Sequence, residues 1–315
     1  MHVMIKAIKS EIQKVIIGQE NLVDNLLIGL ITGGHILVES VPGLAKTTAI
    51  NTLAKALGID FKRIQFTPDL LPSDLTGSQI YNPKSGEFSI KQGPIFTNLL
   101  LADEINRSPA KVQSALLEVM AEKQVTIANE SFKIDEPFLV MATQNPVEQE
   151  GTYQLPEAQL DRFMLKTTLD YNTPEEELEV VNRVAVKGFE TVNQVANIEN
   201  INELRLAFKQ VHMDEAVKQY IIEIVFATRY PENYGLSDIK ELIEFGASPR
   251  ASIDLFKASC AKALIRGNDF VTPLDIASVV TEVLQHRIVL SYQAQAQGVD
   301  AQSIIQKILK AINTP

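Results

Sequence analysis

The chain has 315 residues, 45% hydrophobic and 22% charged, with a net charge of −10 and a pI near 5.0. That is length for two domains with substantial cores, and the acidic balance argues against an undirected nucleic-acid or membrane-surface binder. The single cysteine, Cys260, excludes an internal disulfide and fits a reducing, cytoplasmic location, and no uncharged apolar run approaches the ~18 residues of a membrane span.

In chain order, residues 4–16 place Ile5, Ile8, Ile12, Val15 and Ile16 at helical spacing, an amphipathic start rather than a secretory signal. Gly18-Gln19 breaks the pattern. A second helix, about Glu20 to Ile31, ends at Gly33-Gly34. Five short apolar runs then predict strands: Ile36–Val38, Arg63–Phe66, Leu99–Ala102, Phe138–Met141 and Phe163–Thr167. They lack clean polar alternation and are interleaved with helices, which indicates a parallel sheet covered on both faces. Residues 79–96 and 124–134 read as β-hairpin insertions, the first with the stronger turn chemistry. Between them lies a helix to about Lys123, with Ser108 expected as N-cap and Pro109 at N1. Thr173-Pro174-Glu175-Glu176 is a capping box opening a helix through Val186. The polar stretch 187–200 is the expected domain boundary, separating an α/β core of 1–190 from a unit of 200–315. The latter reads as helices only, about 202–211, 214–228, 238–245, 249–266, 273–290 and 300–312. Ser248-Pro249 and Thr272-Pro273-Leu274-Asp275 mark two helix starts, and Gly267 marks a stop.

Three stretches carry chemistry. Ile36 to Thr48 runs strand, Pro42-Gly43 loop, Lys46-Thr47, helix, which is the layout of a phosphate-binding loop. Backbone N–H groups at a helix N-terminus suit anionic oxygens, Lys46 can reach β- and γ-phosphates, and the Thr47 hydroxyl can ligate Mg²⁺. The match is imperfect, because Ser40 and Ala45 stand where the pattern has glycines, and an ordinary turn is the alternative. Leu99 to Glu104 is a buried strand ending in two carboxylates at the edge where ligands sit in open α/β folds. Asp103 can hold Mg²⁺ through water and Glu104 can polarise an attacking water; an acidic cap before Ile105 is the plainer reading. Phe138 to Asn145 is a third such strand, whose Asn145 can orient the water or simply turn the chain at Pro146.

The run Thr67-Pro-Asp-Leu-Leu-Pro-Ser-Asp-Leu-Thr-Gly77 resembles the MoxR family of AAA+ ATPases, as do Gly93-Pro-Ile-Phe96 and Leu100-Leu-Ala-Asp-Glu-Ile-Asn-Arg107. Most distinctive is Ala142-Thr-Gln-Asn-Pro-Val-Glu-Gln-Glu-Gly-Thr-Tyr-Gln-Leu-Pro-Glu-Ala-Gln-Leu-Asp-Arg-Phe163. Gly246-Ala-Ser-Pro-Arg-Ala251 and Val283-Leu-Gln-His-Arg-Ile288 extend the similarity into the helical part, while 185–235 carries little of it. The resemblance implies a P-loop AAA+ core with a five-stranded parallel sheet and two hairpin insertions, then a small all-α lid. It implies ATP and Mg²⁺ bound between core and lid. Val41, Pro42, Gly43, Leu44, Ala45, Lys46, Thr47 and Thr48 take the Walker-A positions; Asp103 and Glu104 are the Walker-B metal and water residues. Asn145 matches sensor 1, Arg162 the arginine finger that reaches a neighbouring subunit, and Arg250 sensor 2. Ile17-Gly18-Gln19 matches the segment packed near adenine, and the hairpins match inserts that face a central pore. The family usually has Gly at position 40, so Ser40 puts nucleotide affinity in question.

The implied partners are copies of the chain in a ring, a hexamer, and a protein client served by chaperone-like remodelling or cofactor insertion, with a von Willebrand A-domain protein as partner. Two other classes stay open. A nucleic-acid motor has Lys84, Lys91, Lys123 and Lys133 around the hairpins in its favour and the charge of −10 against it. A non-hydrolysing nucleotide switch is kept open by Ser40. Arg250, two residues into a capped helix, opposes the helix dipole; a nearby anion would relieve that, with a γ-phosphate as the candidate and a plain surface arginine as the alternative.

Overall fold

The computed structural model describes residues 1–41, 43–84, 86–146, 151–188 and 190–315, with Val184, Val186 and Lys187 described by backbone alone. The chain forms two compact units: Val3–Leu155 with Thr167–Asn202, and Met1–His2 with Pro156–Lys166 and Glu203–Pro315. The segment 156–166, which the sequence reading keeps with the core, thus groups with the helical unit. Among the described residues, no helix is long and apolar enough to cross a membrane.

In chain order come α1 (His2–Gln13), α2 (Glu20–Thr32), β1 (Ile36–Glu39), α3 (Lys46–Leu57), β2 (Phe61–Gln65) and α4 (Pro72–Thr76). The first hairpin, β3 (Gly77–Asn82) with β4 (Glu87–Gln92), precedes β5 (Leu99–Asp103) and α5 (Ala110–Glu122). The second, β6 (Gln124–Ile127) with β7 (Glu130–Lys133), precedes β8 (Leu139–Gln144), α6 (Glu157–Leu160), β9 (Leu165–Thr168) and α7 (Pro174–Val181).

The five-stranded sheet has the order β2-β5-β8-β1-β9, and the β2–β5, β5–β8 and β8–β1 pairs are parallel. Leu99, Leu100, Leu101 and Ala102 of β5 and Leu139 to Ala142 of β8 have no exposed surface. Both faces of these strands are covered, which is why their sequences run apolar without alternation. The edge strand β2 exposes Lys62, Arg63 and Gln65 instead; charge on an edge blunts further strand pairing. The connection from β1 leads to the far edge, and the chain returns through β5 to β8 before reaching β9. The carboxyl ends of β1 and β8 therefore flank the topological switch point, where ligands bind in such sheets.

Local chemistry sets the helix ends. α2 stops at Gly33 and α3 at Gly58, both left-handed, with φ of 73° and 59°. Thr173 and Glu176 form the expected capping box of α7. Ser108 does not cap α5: a 3₁₀ turn over Ile105–Arg107 brings the Ile105 carbonyl within reach, and the Ser108 hydroxyl donates to it at 3.2 Å. The base of the first hairpin is closed by glycine, since a Cβ on Gly93 would stand 2.0 Å from the Leu75 carbonyl oxygen.

His35 lies in the core of this unit. Its Nε2–H faces the Met120 carbonyl at 3.1 Å and its Nδ1 accepts the Val140 N–H at 3.0 Å. Burial pushes its pKa down to about 4 from 6.5. A depressed folded pKa means the unfolded chain binds more protons between these values, so the contribution is complete above 6.5 and lost as pH falls toward 4. Roughly 3 kcal/mol of stability should disappear across that window. Urea unfolding midpoints measured from pH 6.5 to 4.5 should fall, and fall less steeply in His35→Phe; parallel slopes would contradict the burial argument.

The helical unit contains most of α8 (Ile198–Phe208), then α9 (Glu215–Ala227), β10 (Ile243–Phe245), α10 (Pro249–Arg266), α11 (Pro273–Ala277) and α12 (Val280–Leu284). β11 (Val289–Leu290), α13 (Tyr292–Ala296) and α14 (Ala301–Ala311) complete it. The central helix α10 runs between its predicted signals, Ser248 as N-cap and left-handed Gly267 as C-cap. It buries Leu255, Ala258, Cys260, Ala261 and Leu264. Cys260 is a core residue whose thiol burial pushes up to about 11.

Two expectations for this unit are corrected. The helix predicted over 238–245 is a 3₁₀ turn, Ser237–Leu242, followed by β10, which pairs antiparallel with β11. The helix predicted over 273–290 is broken. The Ser278 hydroxyl turns back to the Asp275 carbonyl at 2.7 Å and ends α11, and the chain re-forms as α12 before extending into β11. The lid is helical with one small two-stranded ribbon.

Candidate functional site

The loop after β1 opens directly into α3. Ser40 continues the strand, its N–H donating to the Gln144 carbonyl at 3.2 Å, and is almost fully buried. Its backbone is not left-handed, so this position does not demand glycine. Ala45, at the other missing glycine, is left-handed with φ 53° and ψ 19°. The question raised by Ser40 therefore shifts to Ala45. A left-handed L-residue costs about 1–2 kcal/mol, against roughly 0.4–1 kcal/mol of extra unfolded-chain entropy for glycine. Ala45→Gly should leave thermal stability equal or higher, whereas Ser40→Gly should lower it; the opposite order in melting experiments would contradict these backbone assignments.

Gly43 is also left-handed, with φ 92° and open space where a Cβ would stand. Pro42 lies outside the described residues. α3 has no side-chain cap, so the N–H groups of Lys46, Thr47 and Thr48 lack intrahelical partners and point out of the helix start. With the helix dipole these donors suit an anion, and Val41, Gly43, Leu44 and Ala45 border them.

The carboxylates stand at the same edge. Asp103 ends β5 and is buried; its Oδ1 accepts the Thr143 hydroxyl at 2.6 Å, and its Oδ2 accepts Arg63 Nη2 at 2.6 Å and Nε at 3.1 Å. The same Thr143 hydroxyl accepts the Glu104 N–H at 2.9 Å. Thr143 thus ties both acidic residues to β8, the strand between β5 and the loop strand β1. Glu104 leaves the sheet with a left-handed backbone, φ 57° and ψ 51°. Its Oε2 receives Gln65 Nε2 at 2.8 Å and Arg107 Nε at 3.0 Å. Burial pushes the Lys46 ammonium pKa down, and Asp103 and Glu104 draw it back up. Loop lysine and strand carboxylates therefore share one electrostatic neighbourhood. Asn145 is buried just past β8, two residues beyond Thr143.

The oxygen donors here, the Asp103 carboxylate and the Thr47 hydroxyl, suit a hard divalent cation such as Mg²⁺. Both Asp103 oxygens are already engaged, which fits holding a cation through bound water. The third predicted segment, Ile17–Gln19, is tied to the stretch after β9. Gln19 Nε2 donates to the Asp170 carbonyl at 3.0 Å and to Asn172 Oδ1 at 3.1 Å, and Asn172 Nδ2 donates to the Ile17 carbonyl at 3.3 Å. A Cβ on Gly18 would meet Glu176 Oε1 at 2.9 Å.

Arg162 and Arg250 both belong to the helical unit. Arg250 follows the Ser248 cap, whose Oγ accepts its N–H at 3.2 Å. The anion that answers its position against the dipole is Asp161, 3.6 Å from Nη1. Arg162 is the next residue, exposed. Sequence reasoning did not single out Arg63, Gln65, Thr143, Asp161 or Arg287. Only Thr143 left a local trace, as the first polar residue at the end of an apolar strand.

Residues 35–165 match the model of the ATPase family associated with various cellular activities, and residues 236–308 match the AAA lid domain. The chain is 46% identical over 315 residues to Chaperone MoxR1 of Mycobacterium tuberculosis, covering 100% of itself and 83% of that protein. It is 30% identical to Protein MoxR of Paracoccus denitrificans, with 92% and 90% of the two chains covered. A solved structure from Cytophaga hutchinsonii superposes with a TM-score of 0.94 at 52% identity, over 100% of this chain and 96% of that one. With the loop, the paired carboxylates and the helical unit in place, these similarities show that the chain belongs to the MoxR family of AAA+ ATPases.

Proposed function

We propose that this protein hydrolyses ATP with Mg²⁺ as a ring, a hexamer by family resemblance, and uses turnover to remodel a protein client or to insert a metal cofactor into it. The observation that carries the reading is the Thr143 hydroxyl, which holds Asp103 at 2.6 Å and the Glu104 N–H at 2.9 Å beside the phosphate-binding loop.

In this reading the N–H groups of α3's first turn take the β- and γ-phosphates, and Lys46 adds its charge at their oxygens. Mg²⁺, held by Thr47 and through water by Asp103, would neutralise phosphate charge. Glu104 orients a water for in-line attack on the γ-phosphorus and takes up its proton as the P–O bond to ADP breaks. Asn145, at the same sheet edge, holds that water or a γ-oxygen. Arg250 serves the nucleotide of its own chain and Arg162 that of a neighbour; Ile17–Gln19 borders the adenine. The first hairpin offers client-facing surface: Tyr81 and Phe88 are 53% and 63% exposed, their rings 5.0 Å apart. A von Willebrand A-domain partner is inferred from family resemblance, as is a cytoplasmic setting.

Titration with a fluorescent ATP analogue tests the binding half. Wild-type protein should bind in the presence of Mg²⁺ and Lys46→Ala should lose most of that affinity; equal affinities would remove the loop from the site. Hydrolysis measured with and without DNA should be the same. Strong stimulation by DNA would identify a nucleic-acid motor, and binding without hydrolysis a nucleotide switch.

A further inference from the structure

We propose that Arg287 is a positioning residue that clamps the segment Asp161–Phe163, so that Arg162 and Arg250 are presented by a single rigid body. This rests on the reading of Arg162 as the residue that acts on a neighbour's nucleotide.

The Arg287 side chain is only 1% exposed and every arm of its guanidinium is used. Nε donates to Asp161 Oδ1 at 2.9 Å, and Nη1 donates to the Val283 carbonyl at 3.0 Å. Nη2 donates to Asp254 Oδ2 at 2.6 Å, to the Phe163 carbonyl at 2.9 Å and to the Asp161 carbonyl at 3.3 Å. The residues on both sides of Arg162 are therefore held by one planar group. His286 adds a contact from its Nε2 to the same Phe163 carbonyl at 2.9 Å; burial holds its pKa well below the usual histidine value, so it stays neutral and donates there.

The far side of the cluster leads to Arg250. Both Asp161 oxygens accept the Ser248 hydroxyl at 3.0 Å, and Ser248 caps the helix on which Arg250 is the second residue. Asp254, one turn further along α10, completes the clamp. Arg287 pairs with both Asp161 and Asp254, and Arg250 adds a second cation 3.6 Å from Asp161. A buried ion cluster of this kind contributes little net stability compared with apolar packing. What it fixes is geometry: the guanidinium's forked donors define positions that the point charge of a lysine does not. The consequence is that whatever orients Arg250 also sets the backbone from which Arg162 projects.

The experiment uses the full chain with Arg287→Lys, which keeps the charge and discards the fork, and Asp254→Asn as a second variant should Arg287→Lys fail to fold by circular dichroism. Each is assayed for ATP hydrolysis alone and mixed with Lys46→Ala protein, which keeps Arg162, Asp254 and Arg287 intact. A misplacement of about 1 Å costs about 10²-fold in rate, so hydrolysis should fall by that order with kcat affected far more than KM. Mixing should restore part of the activity, as it should for Arg162→Ala, because the clamped Arg162 comes from the other subunit, while Arg250, its N–H still on the Ser248 cap, continues to serve the variant's own nucleotide. If Arg162→Ala is rescued and the clamp variants are not, the clamp is merely structural and the proposal is overturned. If Arg162→Ala itself is not rescued, the underlying reading of Arg162 fails instead.

Discussion

Arg162→Ala is expected to reduce ATP turnover by about 10³–10⁵-fold, the contribution of an arginine finger in phosphoryl transfer, with nucleotide binding nearly unchanged. The expectation combines the family assignment with the side chain's setting. Asp161 and Phe163 are tethered on either side, while Arg162 itself is exposed on the helical unit. A guanidinium so displayed can supply charge to the developing transition state of another subunit without contributing to ground-state binding in its own. The predicted signature is loss of kcat with an unchanged Kd for ATP. A variant that lost affinity and kept its turnover number would assign Arg162 to binding instead. Lysine at this position should recover little, since a point charge does not reproduce the planar fork that phosphate oxygens favour.

Glu104→Gln should lose about 10²–10⁴-fold in hydrolysis, the usual contribution of a positioned general base. The substitution keeps the side chain's shape and its contact with Gln65, and it leaves Asp103 and the Thr143 hydroxyl untouched. Mg²⁺ and ATP should therefore still bind, and the variant should accumulate in a nucleotide-loaded state. Rapid quench under single-turnover conditions separates the outcomes: retained ATP with a slowed chemical step is expected, and hydrolysis at the normal rate would remove Glu104 from the chemistry. The left-handed backbone at Glu104, φ 57°, sets where its carboxylate points, and the isosteric substitution leaves that turn in place.

The readable parts of the chain are those whose cause is local. The buried strands β1, β5 and β8 announce themselves as unbroken apolar runs, and α10 is bounded by Ser248-Pro249 and Gly267, which act within a few residues. The sequence reading of edge strand β2 starts two residues late and ends one residue late, at Phe66, because most of its own residues face solvent and carry no burial pattern. Residues 273–290 look like one helix because Val279, Val280, Val283, Leu284 and Ile288 are all buried; periodicity does not register the Ser278 hydroxyl that ends α11. In the site, the motif residues were legible and their holders were not. Arg63 and Asp103 are 40 positions apart and Asp161 and Arg287 are 126 apart, separations that only the folded chain brings together. The segment 156–166 lies, up to residue 165, within the matched ATPase region and ends in β9, yet Asp161, Phe163 and Lys166 also bond to Ser248 and to residues 285–287, partners that pattern does not reveal.

The most direct measurement mixes Arg162→Ala protein with Lys46→Ala protein and follows ATP hydrolysis against each variant alone. A phosphate-binding loop at Lys46 completed by Arg162 from the adjacent subunit predicts two inactive proteins that regain part of the wild-type rate on mixing. A mixture that stays as inactive as its components, under conditions where wild-type subunits assemble and turn over, would contradict it.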